Sequence, residues 1–271
     1  MKHEENKLAD LIAGLDRYRG FVDNFDSLID FALFMFLANP TEEQRKHFEA
    51  CRQKPAYLEA LQMLGELSEG YHDSLGDMFM ERISHGANSQ FFTPEHICDF
   101  MARIADGTGE SVCDPTCGSG RFLLKALQQS REEHDQEPTL YGCDLDHRCT
   151  RMTLLNLCLN SGRGDVEWGN SLSLEIFKTY HIDRVLVCGK WMSFVWQYSP
   201  RETDMEALNR ERQQTIHTLL GMGILYERPM RQRERENERE EQPVTQAVEV
   251  EPVAPIEEPV RKAPVQLEFD F

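Results

Sequence analysis

The segment Val112-Cys113-Asp114-Pro115-Thr116-Cys117-Gly118-Ser119-Gly120-Arg121-Phe122-Leu123 constrains the chain more than any other. A short apolar run stops at Asp-Pro, the backbone turns on two glycines, and helical spacing begins at Arg121. Gly118 and Gly120 lack Cβ atoms, so the chain can turn tightly and a ligand can approach the backbone. Free N–H groups at the start of the next helix would face an anionic or polar ligand. An ordinary strand-to-helix turn also contains G-x-G, so the flanking pattern has to decide.

That pattern alternates. Ser111–Cys113, Thr139–Cys143, Val166–Trp168 and Arg184–Val187 read as short strands. A helix starts near Arg121. Another carries Cys149, Met152, Leu155 and Leu159 on one face and closes at Gly162. Strands alternating with helices predict an α/β fold with a parallel, doubly wound sheet. After Trp191 the remaining candidates are Met192–Tyr198, a helix around Met205–Leu220, and a strand within Met222–Tyr226. The sheet is therefore short, four or five strands, and it ends on an exposed edge or on a partner chain.

Two other regions flank this core. Residues 1–88 read as helical, with Leu8, Leu11, Ile12 and Leu15, then Phe25, Leu28 and Ile29, then Leu58, Leu61, Leu64 and Leu67 at helical spacing. Asn39-Pro40 stops one helix, and Thr41 with Gln44 offers a capping box for the next. We place the α/β region at 89–228. Residues 229–271 hold six of the twelve prolines, with six basic and eleven acidic residues, and read as a disordered acidic tail.

Charge and composition limit the function. With 29 basic and 47 acidic residues the formal net charge is -18, which excludes a basic DNA-coating protein. Contact with DNA would need a local basic patch or a partner subunit. The longest apolar run, Phe31–Ala38, is too short for a bilayer, which takes roughly 20 residues. The eight cysteines show no CxxC spacing, so we expect reduced thiols in a cytoplasmic protein and no metal site.

The strand ends identify the expected ligand. Asp144 closes the second strand, where a carboxylate can accept both ribose hydroxyls of a nucleoside cofactor. Asn170 closes the third, where an amide could meet an adenine ring. Asp114-Pro115-Thr116-Cys117-Gly118-Ser119-Gly120 resembles the first cofactor motif of adenine-N6 DNA methyltransferases, notably the modification subunits of type I restriction systems. The run from Asp73-Ser74-Leu75-Gly76-Asp77-Met78-Phe79 to Gln90-Phe91-Phe92-Thr93-Pro94 resembles the segment that precedes that motif. The resemblance spans about residues 70–190 with order and spacing kept. It implies a Rossmann-like methyltransferase core that binds S-adenosylmethionine. By the same resemblance, the cofactor contacts are Thr93, Pro94, Asp114, Pro115, Gly118, Gly120, Asp144 and Asn170. The implied reaction is methyl transfer to adenine N6 in DNA.

One element departs from the family pattern. Family members follow the fourth strand with Asn-Pro-Pro-Phe/Tyr, whose fixed acceptors bind the N6 amine and whose ring stacks on a flipped base. Here that place reads Cys188-Gly189-Lys190-Trp191. Cysteine is a weak acceptor, and glycine and lysine replace the stiff prolines. Two readings stay open: a methyltransferase with a diverged acceptor loop at 188–191, or a catalytically silent relative acting as a partner or regulatory subunit. Methylation of protein or RNA has no motif of its own. Cys188 as a nucleophile has no histidine paired with it in the sequence.

The last residues, Gln266-Leu267-Glu268-Phe269-Asp270-Phe271, resemble the peptide by which bacterial polymerases and repair proteins bind the sliding clamp. Leu267, Phe269 and Phe271 would share one side of an extended tail.

Overall fold

The computed structural model describes residues 2–84, 91–105, 110–187, 190–199 and 225–227. Five helices come first: α1 (Lys2–Gly14), α2 (Phe21–Phe34), α3 (Glu42–Arg52), α4 (Pro55–Leu67) and α5 (Ser74–Phe79). Their apolar stripes face inward, and Leu8, Ile12, Leu28, Ile29 and Leu64 are fully buried. Burial of each such side chain is worth roughly 1.5–3 kcal/mol. The capping box forms as the sequence predicts. Gln44 N–H donates to Thr41 Oγ1 at 3.2 Å, and Thr41 N–H donates to Gln44 Oε1 at 2.8 Å. Asp73 caps α5 through Gly76 N–H at 2.8 Å, and a π-helical turn, Met80–Ser84, follows.

The α/β region adds α6 (Glu95–Ile104), β1 (Ser111–Asp114), α7 (Arg121–His134), β2 (Thr139–Asp144), α8 (His147–Leu159), β3 (Gly164–Asn170), β4 (Glu175–Val187), β5 (Lys190–Tyr198) and β6 (Leu225–Glu227). The spatial order is β1-β2-β3-β4-β5, with β6 also paired to β4. β1, β2 and β3 are parallel. Their connections, α7 and α8, bury Leu123, Leu127, Leu154 and Leu155 in one apolar cluster with Leu140 and Val166 of the sheet.

The fold is mixed α/β, and in two respects it corrects the expected sheet. Strand order among β1–β3 never reverses, so this part is not doubly wound. The fourth strand is also not parallel: β4 pairs antiparallel with β3, and β5 and β6 pair antiparallel with β4. The cause is loop length. β4 starts at Glu175, with only four residues between it and Asn170. A parallel return needs a crossover of about a dozen residues or more, so the chain must double back. The Met222–Tyr226 expectation is met in part by β6, whereas the 205–220 helix lies outside the described residues.

The N-terminal helices and the sheet share one core, since the same apolar cluster runs from Leu8 to Val195. The outer edge of β5 is covered by the segment after α2. Ala38 N–H donates to Val195 O at 2.8 Å, Val195 N–H to Phe36 O at 2.7 Å, and Asn39 Nδ2 to Gln197 O at 2.9 Å. Capping an edge this way removes a template for unwanted strand pairing. Arg148 adds a two-pronged pair, Nε and Nη2 each 2.7 Å from the Asp26 carboxylate, which locks α2 to α8. No helix among the described residues is long and apolar enough to cross a membrane.

Candidate functional site

The glycine loop between β1 and α7 forms the centre of the site. Gly118 and Gly120 both have positive φ, 56° and 84°. A Cβ on Gly118 would lie 2.9 Å from the Phe92 ring, and one on Gly120 would lie 2.9 Å from Thr153 Cγ2. The backbone therefore needs glycine at both places for conformation and for space. The loop is closed from within by Gly120 N–H to Cys117 O at 2.8 Å, and is tied to β2 by Cys117 N–H to Cys143 O at 2.9 Å.

Side chains from three helices brace it. Thr153 Oγ1 donates to Gly118 O at 2.9 Å, and Asn156 Nδ2 donates to Ser119 O at 2.9 Å. Beneath lies Asp73, almost wholly buried. Its carboxylate accepts from Gly76 N–H at 2.8 Å, Asn156 Nδ2 at 2.8 Å, Arg121 Nε at 3.0 Å and the Ser119 hydroxyl. Burial pushes the Asp73 carboxyl up, and the Arg121 charge with these donors works against that shift. Arg121 also reaches Asp77 Oδ1 at 2.5 Å and the Thr93 carbonyl at 3.3 Å. One guanidinium thus fastens the upstream segment to the start of α7.

The sequence-predicted contacts divide by position. Thr93, Asp114 and Gly118 line a concavity of about 70 Å³ together with Phe91, Phe92 and Arg121, which are not among those contacts. Phe92 stacks on Phe79 with ring centroids 5.3 Å apart, which holds it over the loop. Pro94 is the N-cap of α6, directly behind Thr93. Pro115 lines a second concavity of about 420 Å³ with Cys113, Tyr141, Cys143 and Glu167 on the sheet. Asp144 Oδ2 accepts Gly118 N–H at 2.9 Å, and its Oδ1 accepts Asp146 N–H at 2.8 Å. Each carboxylate oxygen keeps one further lone pair. Burial raises the carboxyls of both Asp114 and Asp144 above their ordinary value.

Asn170 closes β3 as expected, but its Oδ1 is used locally, accepting Leu172 N–H at 3.0 Å and Ser173 N–H at 3.2 Å. It builds the turn that reverses the chain into β4.

Of the 188–191 segment, Lys190 and Trp191 lie away from these residues. Cys188 and Gly189 lie outside the described residues, but Val187 and Lys190 pair across β4 and β5. Because β4 is reversed, Glu175 sits beside Asn170 while Ile182 sits beside Gly164, and Val187 runs beyond it. Trp191 is thus at the amino edge of the parallel strands. Its carbonyl accepts the Ser161 hydroxyl at 2.8 Å, and its ring lies 4.6 Å from the Arg184 guanidinium. Gly118, Asp144 and Asn170 are at the carboxyl edge.

The bracing residues Asp73, Arg121, Thr153 and Asn156 are not singled out by the sequence reading. A polar Thr and Asn on the apolar face of α8 are the visible signal. Buried polar groups need partners, and a backbone loop with spare carbonyls supplies them.

S-adenosylmethionine carries positive charge on its sulfonium and ammonium groups. The Asp114 and Asp144 carboxylates beside the glycine turn offer acceptors that fit those positive groups.

Comparison with known proteins agrees with this architecture. The chain belongs to the N-6 DNA Methylase family, which it matches over residues 71–219, more than half its length. It is 33% identical over 99 residues to the type I restriction enzyme MjaIX methylase subunit of Methanocaldococcus jannaschii, covering 36% of this chain and 18% of that protein. It is 31% identical over 107 residues to the type I restriction enzyme MpnII methylase subunit of Mycoplasma pneumoniae, covering 36% and 20%. Against the type II restriction enzyme and methyltransferase RM.BcgI of Heyndrickxia coagulans it is 28% identical over 132 residues, covering 42% and 21%. The chain spans about a fifth of the length of these relatives. No solved structure matches it significantly.

Proposed function

We propose that this chain binds S-adenosylmethionine as a methyltransferase-family protein, does not itself methylate adenine, and acts as a partner subunit on DNA. One observation carries the second clause: β4 doubles back after Asn170, so Trp191 stands at the sheet edge opposite Gly118 and Asp144. An acceptor group must be held within about 3–3.5 Å of the atom it attacks, and that separation of edges prevents it.

When bound, the cofactor supplies an electrophilic methyl group. The chain's own residues hold it. Asp144 accepts the ribose hydroxyls on its remaining lone pairs, the Asn170 amide meets the base, and Asp114 faces the ammonium group. The Phe91–Thr93 segment closes over the amino-acid end, and Pro94 and Pro115 stiffen the two sides. Among the described residues, no fixed acceptor pair stands beside these groups to localise an amine lone pair.

DNA contact in this reading comes through another subunit, because the net charge of -18 opposes unaided binding to phosphates. The relatives named methylase subunits of type I restriction enzymes supply the precedent for partnership. The clamp-like residues Gln266, Leu267, Phe269 and Phe271 lie outside the described residues.

The test is incubation of the purified chain with methyl-labelled cofactor and unmodified DNA. The expected result is retention of label on the protein without transfer to DNA. Label appearing at adenine N6, and lost with Trp191→Ala, contradicts the proposal.

A further inference from the structure

Away from the glycine loop, where α1 meets α5, three carboxylates converge on one imidazole. His72 Nε2 lies 2.9 Å from Glu5 Oε1 and 3.8 Å from Asp77 Oδ2. The ligand-type atoms of Glu5, His72 and Asp77 all fall within 4.8 Å of one another. The other ring nitrogen, Nδ1, faces Glu95 Oε2 at 3.5 Å. His72 is buried, Glu5 is largely so, and Asp77 is 42% exposed, leaving one side of the cluster open to solvent.

We propose that Glu5, His72 Nε2 and Asp77 form a binding site for a divalent transition-metal ion of the zinc type, with water in the open position. Zinc takes imidazole nitrogen and carboxylate oxygen at about 2.0–2.2 Å, so tetrahedral ligands stand roughly 3.3 Å apart. The observed 2.9 and 3.8 Å bracket that spacing.

The surroundings match what such an ion requires. A metal-bound histidine usually directs its second nitrogen to a carboxylate, and Glu95 occupies that place. Each supporting carboxylate is itself oriented: Glu95 Oε1 by Lys125 Nζ at 2.6 Å, and Asp77 Oδ1 by Arg121 Nη2 at 2.5 Å. The opposite oxygen of each therefore faces His72. Gly70 and Tyr71 precede the histidine in the left-handed region, φ 72° and 62°. That conformation is uncommon for a tyrosine and is costly unless its surroundings hold it.

The consequence is mechanical. The ion would clamp α1 to α5, and α5 carries Asp77 and is capped by Asp73, the residues that hold Arg121 and the glycine loop. Positions 5, 72 and 77 have no metal-motif spacing, which hides the site from sequence.

The test uses the full chain, freed of metal and titrated with zinc chloride by calorimetry. One ion per chain is expected, and a hundredfold excess over Kd raises Tm by roughly 5 °C or more. Glu5→Gln and His72→Asn abolish the site, and Glu95→Gln weakens it about 10–100-fold. Circular dichroism and thermal melts of the metal-free variants control for folding. Cobalt in place of zinc gives a visible spectrum without a thiolate charge-transfer band. No saturable heat, undiminished binding by Glu5→Gln, or a thiolate band overturns the proposal.

Discussion

Gly118 donates its backbone N–H to Asp144 Oδ2 at 2.9 Å, joining the loop after β1 to the end of β2 across 26 positions of sequence. The acid expected to hold a ribose is therefore oriented before any ligand arrives. Preorganisation of this kind lowers the ordering cost of binding.

Gly118→Ala should damage the site more than the fold. Its φ of 56° costs an alanine about 1–2 kcal/mol, and the new Cβ drives into Phe92. We expect a modest fall in urea midpoint but loss of cofactor binding. A double variant with Phe92→Ala removes the clash and leaves the backbone strain, so stability should recover only partly.

Asp73→Ala should be severe. It removes one of the two carboxylates paired with the buried Arg121 guanidinium, and it takes an acceptor from the Asn156 amide and from the Ser119 hydroxyl. Removing one partner of a buried pair costs about 3–5 kcal/mol. Urea denaturation measures it, and a change under 1 kcal/mol contradicts the bracing role.

His181 makes stability depend on alkaline pH. Burial lowers its pKa, but hydrogen bonds to the Asp165 and Asp183 carboxylates outweigh that and raise it to about 9. The charged form is thus stabilised in the fold. Its contribution is fully present below the unfolded value of about 6.5 and is lost as pH rises through about 9. Thermal melts from pH 6 to 10 should show a falling Tm, and His181→Gln should flatten that slope.

Trp191→Ala should leave cofactor affinity unchanged. The ring rests on Arg184 at the far edge of the sheet, a contact worth about 0.5–1 kcal/mol at an exposed site. Calorimetry and a thermal melt on one sample separate the two effects.

The strands and helices up to Asn170 are legible because each follows a local rule. Apolar runs end at Asp114 and Asp144, and α7 and α8 keep helical spacing. The Thr41–Gln44 box is visible for the same reason. The reversal at β4 is less visible. It depends on Ser171–Leu174 being a turn, while Ile176-Phe177-Lys178-Thr179-Tyr180-His181-Ile182, rich in β-branched and aromatic residues, was the signal for an earlier strand start. A strand's direction is set by the length of its connection, not by its own residues. At the site, the placement of Asp114, Gly118, Gly120 and Asp144 at strand ends and in the loop can be read from the local pattern. Asp73 and Asn156 cannot, because their partnership spans 83 positions and exists only once α5 and α8 are packed.

The most direct test of cofactor binding at the carboxyl edge is calorimetric titration of the full chain with S-adenosylmethionine, repeated on Asp144→Asn. The account expects one site in the unaltered chain. In the variant, where the charged acceptor of the ribose hydroxyls is gone, it expects affinity at least about tenfold weaker. Absence of heat in the unaltered chain, or equal affinity in both proteins, contradicts it.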